Sequence, residues 1–153
     1  MEKCKAIFYK IAYPVAKLSW FFIRPNTQGV RCIVLCGEDI LLIKHTYGSP
    51  LRTTVGGGIN RGETEESAVI REVKEEVGLN LYCLSKVGEV IHTKEFKNDT
   101  VHVFVARTHE RAFIVDGSEI KEVAWFKFDE LPSDTSPLFI EFYKLARPFI
   151  EAM

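Results

Sequence analysis

The segment Arg71-Glu72-Val73-Lys74-Glu75-Glu76 sets three carboxylates, Glu72, Glu75 and Glu76, at spacings of three and four. On a helix such residues are surface neighbours, and like charges there repel by roughly 0.2–0.5 kcal/mol per pair. A purely structural helix gains nothing from the crowding, whereas a hard divalent cation removes the conflict. Magnesium and manganese take oxygen ligands in octahedral geometry, usually one or two carboxylates completed by water and phosphate oxygens. Taken alone, the triplet is better read as a solvated acidic helix face. The run before it separates the two readings, because Gly56, Gly57, Gly58 and Gly62 let the backbone bend sharply and approach a ligand closely.

The elements that must position these groups follow from local pattern. Thr64 is a suitable N-cap, Glu65 and Glu66 suit the positive end of a helix dipole, Val69, Val73 and Val77 make a buried stripe, and Gly78 suits the C-terminal stop. Upstream, Val30, Cys32, Val34 and Cys36 share one face of a strand, and Ile40 to Ile43 form a second strand across the turn Gly37-Glu38-Asp39. Tyr47 to Pro50 reads as a loop and Thr53 to Val55 as a short extended piece. Downstream, Leu81 to His92, Val101 to Arg107 and Glu122 to Phe128 read as strands, with Lys97-Asn98-Asp99 as a turn; Ser136-Pro137 opens a last helix with a cap and a first-turn proline. Strands outnumber helices, which predicts an α/β domain with a mixed sheet covered on both sides.

The turn-rich break Pro25-Asn26-Thr27-Gln28-Gly29 separates this domain, residues 25–153, from an N-terminal amphipathic helix, residues 1–24. There Ile7, Ile11, Val15, Leu18 and Phe22 make an apolar stripe, and Lys3, Lys10, Lys17 and Arg24 a basic one. Lys10, Pro14 and Lys17 break the apolar run, so it is read neither as a spanning helix nor as a signal peptide. It is expected to pack on its own domain or on a second copy in a homodimer, or to make a weak peripheral membrane contact through Tyr9, Tyr13 and Trp20.

A hydrophobic content of 46% with 27% charged residues fits an ordinary globular chain and excludes a disordered one. The net charge of -1 argues against a dedicated partner of duplex nucleic acid, which needs an excess of Lys and Arg on one face. A small acidic substrate needs only a local patch. Cys4, Cys32, Cys36 and Cys83 form no Cys-x-x-Cys pair and have no zinc-finger histidines, so reduced core thiols and a cytoplasmic setting are expected.

Gly57, then five residues, Glu63, seven residues and Arg71-Glu72-Val73-Lys74-Glu75-Glu76-Val77-Gly78-Leu79 resemble the Nudix box at every specified position, over 23 residues. The flanks are similar too, from Leu41-Leu42-Ile43-Lys44-His45 to Glu122-Val123-Ala124-Trp125-Phe126 and Asp129-Glu130-Leu131-Pro132. The resemblance implies a Nudix-type α/β/α sandwich. It also implies a hydrolase that cleaves a pyrophosphate bond in a nucleoside diphosphate linked to another moiety, such as a nucleoside triphosphate or nucleotide sugar. Glu72, Glu75 and Glu76, helped by a carbonyl of Gly56 or Gly57, would hold Mg2+ or Mn2+, and an ion pair of Glu63 with Arg71 would brace the loop against the helix. Either Glu72 or Glu119 would be the general base. Lys44, Arg52 and Trp125 are the candidate substrate contacts; an arginine fork suits phosphate oxygens and an aromatic ring a base. An RNA 5′-end pyrophosphohydrolase is one alternative and would want a basic groove; a non-catalytic nucleotide-binding module is another and would predict a broken acidic cluster. Where family members commonly carry Leu-Pro before the glycines, this chain has Thr54-Val55, which implies a less rigid loop. Subclass markers that some members carry at a set distance past the box are absent, Lys94 standing in that place.

Overall fold

Residues apolar on both parities must be buried on both faces, and Cys32 to Cys36 are of that kind. In the computed structural model, which describes residues 26–94, 97–115 and 117–153, they lie in β1 (Asn26–Cys36), at the centre of a five-stranded sheet. The others are β2 (Asp39–His45), β3 (Tyr82–Lys94), β4 (Lys97–Arg107) and β5 (Ile120–Lys127), in the order β3-β4-β1-β2-β5. β1 runs parallel to β4 and every other pair is antiparallel, so the sheet is mixed.

A helix covers each face. α1 (Glu65–Val77) buries Ala68, Val69, Val73 and Val77 against Val30, Cys32, Val34 and Phe104. α2 (Pro137–Ala152) buries Phe139, Phe142 and Ala146 against Ile33, Leu35, Val103 and Val105. Ser136 caps α2 by accepting from the Leu138 N–H at 3.2 Å, as its Ser-Pro start predicts. The expected three-layer α/β/α arrangement is therefore present.

Two local expectations are corrected. Asn26 to Gly29 are strand and not a break, and Lys97-Asn98-Asp99 are strand and not a turn. The two segments pair with each other, Asn26 with Asn98 and Thr27 with Asp99, while Thr93 flanks Asn98 on the other side. Hydrogen bonds to a partner on each edge outweigh the turn preference of Asn and Asp. Cys32 and Cys36 are buried free thiols, but Cys83 is exposed and is no part of the core. The expected helix over residues 1–24, with its dimer and membrane contacts, lies outside the described residues. No helix among those described is long and apolar enough to cross a membrane.

One feature of the sheet places the site. β1 and β2 pair only beside their turn, at Leu35 with Ile40 and Cys36 with Asp39. Beyond that the strands part, and the chain from Arg52 to Gly58 fills the gap. Val55 and Gly57 carbonyls accept from the N–H groups of Cys32 and Val30, each at 2.9 Å, and Thr53 exchanges both of its backbone bonds with Ile43. Val55 and Thr54 are fully buried, and the Thr54 hydroxyl donates to the Cys32 carbonyl. The missing Leu-Pro is thus answered by a strand-like seam that pins the loop from both sides.

Candidate active site

α1 starts where the Thr64 hydroxyl accepts from the Ser67 N–H, and stops at Gly78, whose N–H donates to the Lys74 carbonyl at 3.1 Å. Packing its valine stripe on the sheet brings Glu72 and Glu76 against the glycine loop. At Gly57 a Cβ would lie 2.6 Å from the carboxyl atoms of Glu72, so any other residue would push that carboxylate away from the loop. At Gly56, held at φ +140°, a Cβ would collide with the Val30 carbonyl. The Gly56 N–H donates to Glu76 Oε2 at 2.9 Å, and the Gly56 carbonyl accepts from the Arg31 guanidinium. The Gly57 carbonyl accepts from Val30, which leaves it one further lone pair.

A cavity of about 700 Å³ opens over this floor, and its lining includes Glu72, Glu76, Glu119, Arg31, His45 and Tyr47. Glu76 is buried at 6% exposure, and its carboxyl is pushed up to about 7 from an ordinary 4.5. Burial is the main cause; Glu72 and Glu119 add repulsion, while the Gly56 N–H and Arg31 act in the opposite sense. A buried carboxyl with two carboxylates for neighbours and a backbone donor beneath it suits a hard divalent cation, which would take oxygens of Glu72 and Glu76 and cancel that repulsion. Glu75 does not line the cavity: its side chain is 62% exposed and its carboxylate accepts from Arg71 Nη1 at 3.2 Å.

Arg71 is the centre of the brace. Its Nε and Nη2 donate to the two Glu63 oxygens at 2.8 and 2.9 Å, Nη2 also reaches the Gly58 carbonyl at 2.9 Å, and Nη1 donates to Glu72 Oε1 at 2.7 Å. This fork ties the loop, the helix and Glu72 into one unit. It holds the Glu63 carboxyl down at about 2, with help from the Asn60 N–H.

The substrate contacts expected from sequence are directed elsewhere. Arg52 donates to Glu122 at 2.6 Å and to Asp134 at 3.1 Å, with its guanidinium over the Phe126 ring. Lys44 pairs with Asp134 at 3.0 Å. Trp125 donates its Nε1–H to the Arg111 carbonyl and lies under that guanidinium. None of the three lines the cavity. Arg31 and His45 do, and sequence reasoning passed over both; a charged residue set within the apolar run Val30 to Cys36 was the available signal for Arg31. Away from the cavity, Glu65, Glu89 and His102 bring ligand atoms within 4.8 Å of one another, a group able to hold a metal ion, although the Lys86 ammonium lies 2.7 Å from both carboxylates.

A NUDIX domain family model matches residues 25–151. The NAD-capped RNA hydrolase NudC of Citrobacter koseri is 31% identical over 130 residues, which cover 78% of this chain and 49% of that protein. The chain thus spans about half the length of the curated relatives it matches. Among solved structures, the MutT NUDIX hydrolase of Burkholderia pseudomallei has a TM-score of 0.72 at 22% identity, covering 79% of this chain and 98% of that one. The NUDIX domain of Shewanella oneidensis NrtR, in complex with ADP ribose, has a TM-score of 0.70 at 14% identity, covering 82% and 89%. At such identities the structural likeness is one of fold. The chain belongs to the Nudix family.

Proposed function

We propose that this chain is a divalent-metal-dependent hydrolase that cleaves the pyrophosphate bond of a nucleoside diphosphate linked to another moiety, with a small-molecule nucleotide as substrate. The observation that carries the reading is the convergence of Glu72, Glu76 and Glu119 on one cavity, over a floor made by Gly56 and Gly57. Glu72 and Glu76 would hold Mg2+ or Mn2+, with Glu75 and the Gly57 carbonyl as further candidate ligands. The ion supplies charge neutralisation on the phosphoryl oxygens and acidifies a water. Arg71 and Glu63 fix the ligand positions. Water attacks one phosphorus, its proton passes to a carboxylate, the bridging P–O bond breaks, and two phosphoryl-bearing products leave. Glu119 is our choice for the proton acceptor, because it lines the same cavity and carries no part of the brace; Glu72 is the alternative. The reduced thiols and the nucleotide substrate suit a cytoplasmic enzyme.

A second reading is favoured by one observation, the similarity to proteins named NAD-capped RNA hydrolases. It requires a path for an RNA chain, which salt dependence of binding would reveal. The test of both is a panel of nucleoside triphosphates, nucleotide sugars, dinucleotides and NAD-capped RNA, assayed with Mg2+ or Mn2+. Metal-dependent cleavage at a diphosphate bridge is expected, and Glu76→Gln is expected to lower it by at least about a hundredfold. Full activity in that variant would end the mechanism.

A further inference from the structure

Two side chains on the cavity wall have no part in the carboxylate floor. A guanidinium carries five N–H donors. Arg31 spends one of them on the Gly56 carbonyl, and it acts on Glu76 through charge. His45 has its Nδ1 buried without a hydrogen-bond partner. Burial first, and then the charge of nearby Arg31, hold the imidazole below its usual value, with the Glu119 backbone acting in the opposite sense. Because Nδ1 is closed to solvent, His45 can meet a ligand in the cavity only through Nε2, while Arg31 offers charge plus a fork.

Charge balance shows why this pairing matters. Among the described lining residues there are three carboxylates, Glu72, Glu76 and Glu119, and Arg31 is the sole Lys or Arg. Of the other basic residues near the loop, Lys44 and Arg52 are neutralised by Asp134 and Glu122 and Arg71 by Glu63, Glu72 and Glu75, while Arg61 does not line the cavity. A diphosphate cannot rest on carboxylates alone, and a cation held by Glu72 and Glu76 reaches only the oxygens directed at it. The remaining phosphoryl oxygens need donors from the wall.

We infer that Arg31 and His45 form an anion subsite that receives the phosphoryl oxygens left unclaimed by the carboxylate floor, and so hold the diphosphate of the substrate in register for cleavage. This rests on the pyrophosphohydrolase reading. The ligand class is a diphosphate bridge with at least one non-bridging oxygen free of the cation. Arg31 binds it as a charged fork, and His45 adds a hydrogen bond from Nε2 beside it.

Arg31 also touches the loop, so the test must separate anion binding from loop support. Two affinities are measured on wild type, Arg31→Gln, Arg31→Lys and His45→Leu: Mn2+ alone by electron paramagnetic resonance, and imidodiphosphate at saturating Mn2+ by calorimetry. In Arg31→Gln, imidodiphosphate binding should weaken about tenfold or more, while binding of Mn2+ alone should tighten, because a positive charge beside Glu76 is gone. Arg31→Lys keeps the charge, loses the fork and should fall between. His45→Leu should weaken imidodiphosphate about fivefold and leave Mn2+ unchanged. If Arg31→Gln weakens both ligands together, the guanidinium is a loop brace and the inference is overturned; unchanged imidodiphosphate binding overturns it as well. Hydrolysis by the wild type with no effect of Arg31→Gln would remove the subsite and leave the proposed function standing. The reverse result, the expected affinity pattern without any hydrolysis, would remove the function and leave the subsite.

Discussion

Replacing Glu76 with glutamine should stabilise the metal-free protein even as it removes activity. Glu76 is almost fully buried, next to Glu72 and Glu119, and its carboxyl stands at about 7 against 4.5 in an unfolded chain. A carboxyl raised in the folded state contributes stability that is fully present below 4.5 and is lost as pH rises through about 7. At about 1.4 kcal/mol per pH unit, that loss approaches about 3 kcal/mol by pH 8. Glutamine has the same shape and no charge, and its amide oxygen can still accept from the Gly56 N–H. In excess EDTA, urea unfolding followed by tryptophan fluorescence should give nearly equal stabilities near pH 4. The variant should gain up to about 3 kcal/mol over wild type by pH 8. Adding Mn2+ should then reverse the order, because binding to the native state stabilises wild type by mass action and the variant much less. A stability difference that stays flat with pH, or a variant weaker than wild type at pH 8 without metal, would refute the claim that the site stores an unpaired buried charge.

Other substitutions probe the remaining assignments. Glu119→Gln should lower kcat by about a hundredfold or more with little change in KM if Glu119 takes the proton; near-normal kcat in steady-state kinetics would hand that role to Glu72. Arg71→Lys loses the two-point grip on Glu63 and the bond to the Gly58 carbonyl, so the Mn2+ concentration for half-maximal activity should rise about tenfold, with most of kcat recovered at saturation. Arg52→Ala should cost about 1–2 kcal/mol in urea unfolding, by freeing Glu122 and Asp134, and should leave KM unchanged; a large rise in KM would restore Arg52 as a substrate contact.

The parts of the molecule governed by short spacings were legible in the chain. Thr64, the valines at 69, 73 and 77 and Gly78 bound α1 much as their chemistry dictates, and Ser136-Pro137 does the same for α2. The Glu63–Arg71 pair spans only eight residues and formed as the box implies. What escaped depends on partners far along the chain. Asn26 and Asn98 look like turn residues until each finds the other. Arg52 looks like a phosphate ligand until Asp134, 82 residues on, takes it. Helical spacing also could not say which of the three carboxylates the glycine loop would meet, and the fold turns Glu75 outward while burying Glu76.

The seam between β1 and the segment from Arg52 to Gly58 has a kinetic meaning. The floor of the site shares its hydrogen bonds with the central strand of the sheet, and Val55 is as buried as Ile33. Opening the floor therefore costs nearly as much as unfolding the domain. A ligand of the cavity must come and go through a more yielding part of the rim, and the stretch from Tyr47 to Pro50, largely exposed and joined to the cavity at Tyr47, Gly48 and Ser49, is where such yielding is cheapest. Variation in that rim can change what the cavity admits while the carboxylate floor stays fixed, so the entrance and the floor are separately adjustable in this chain.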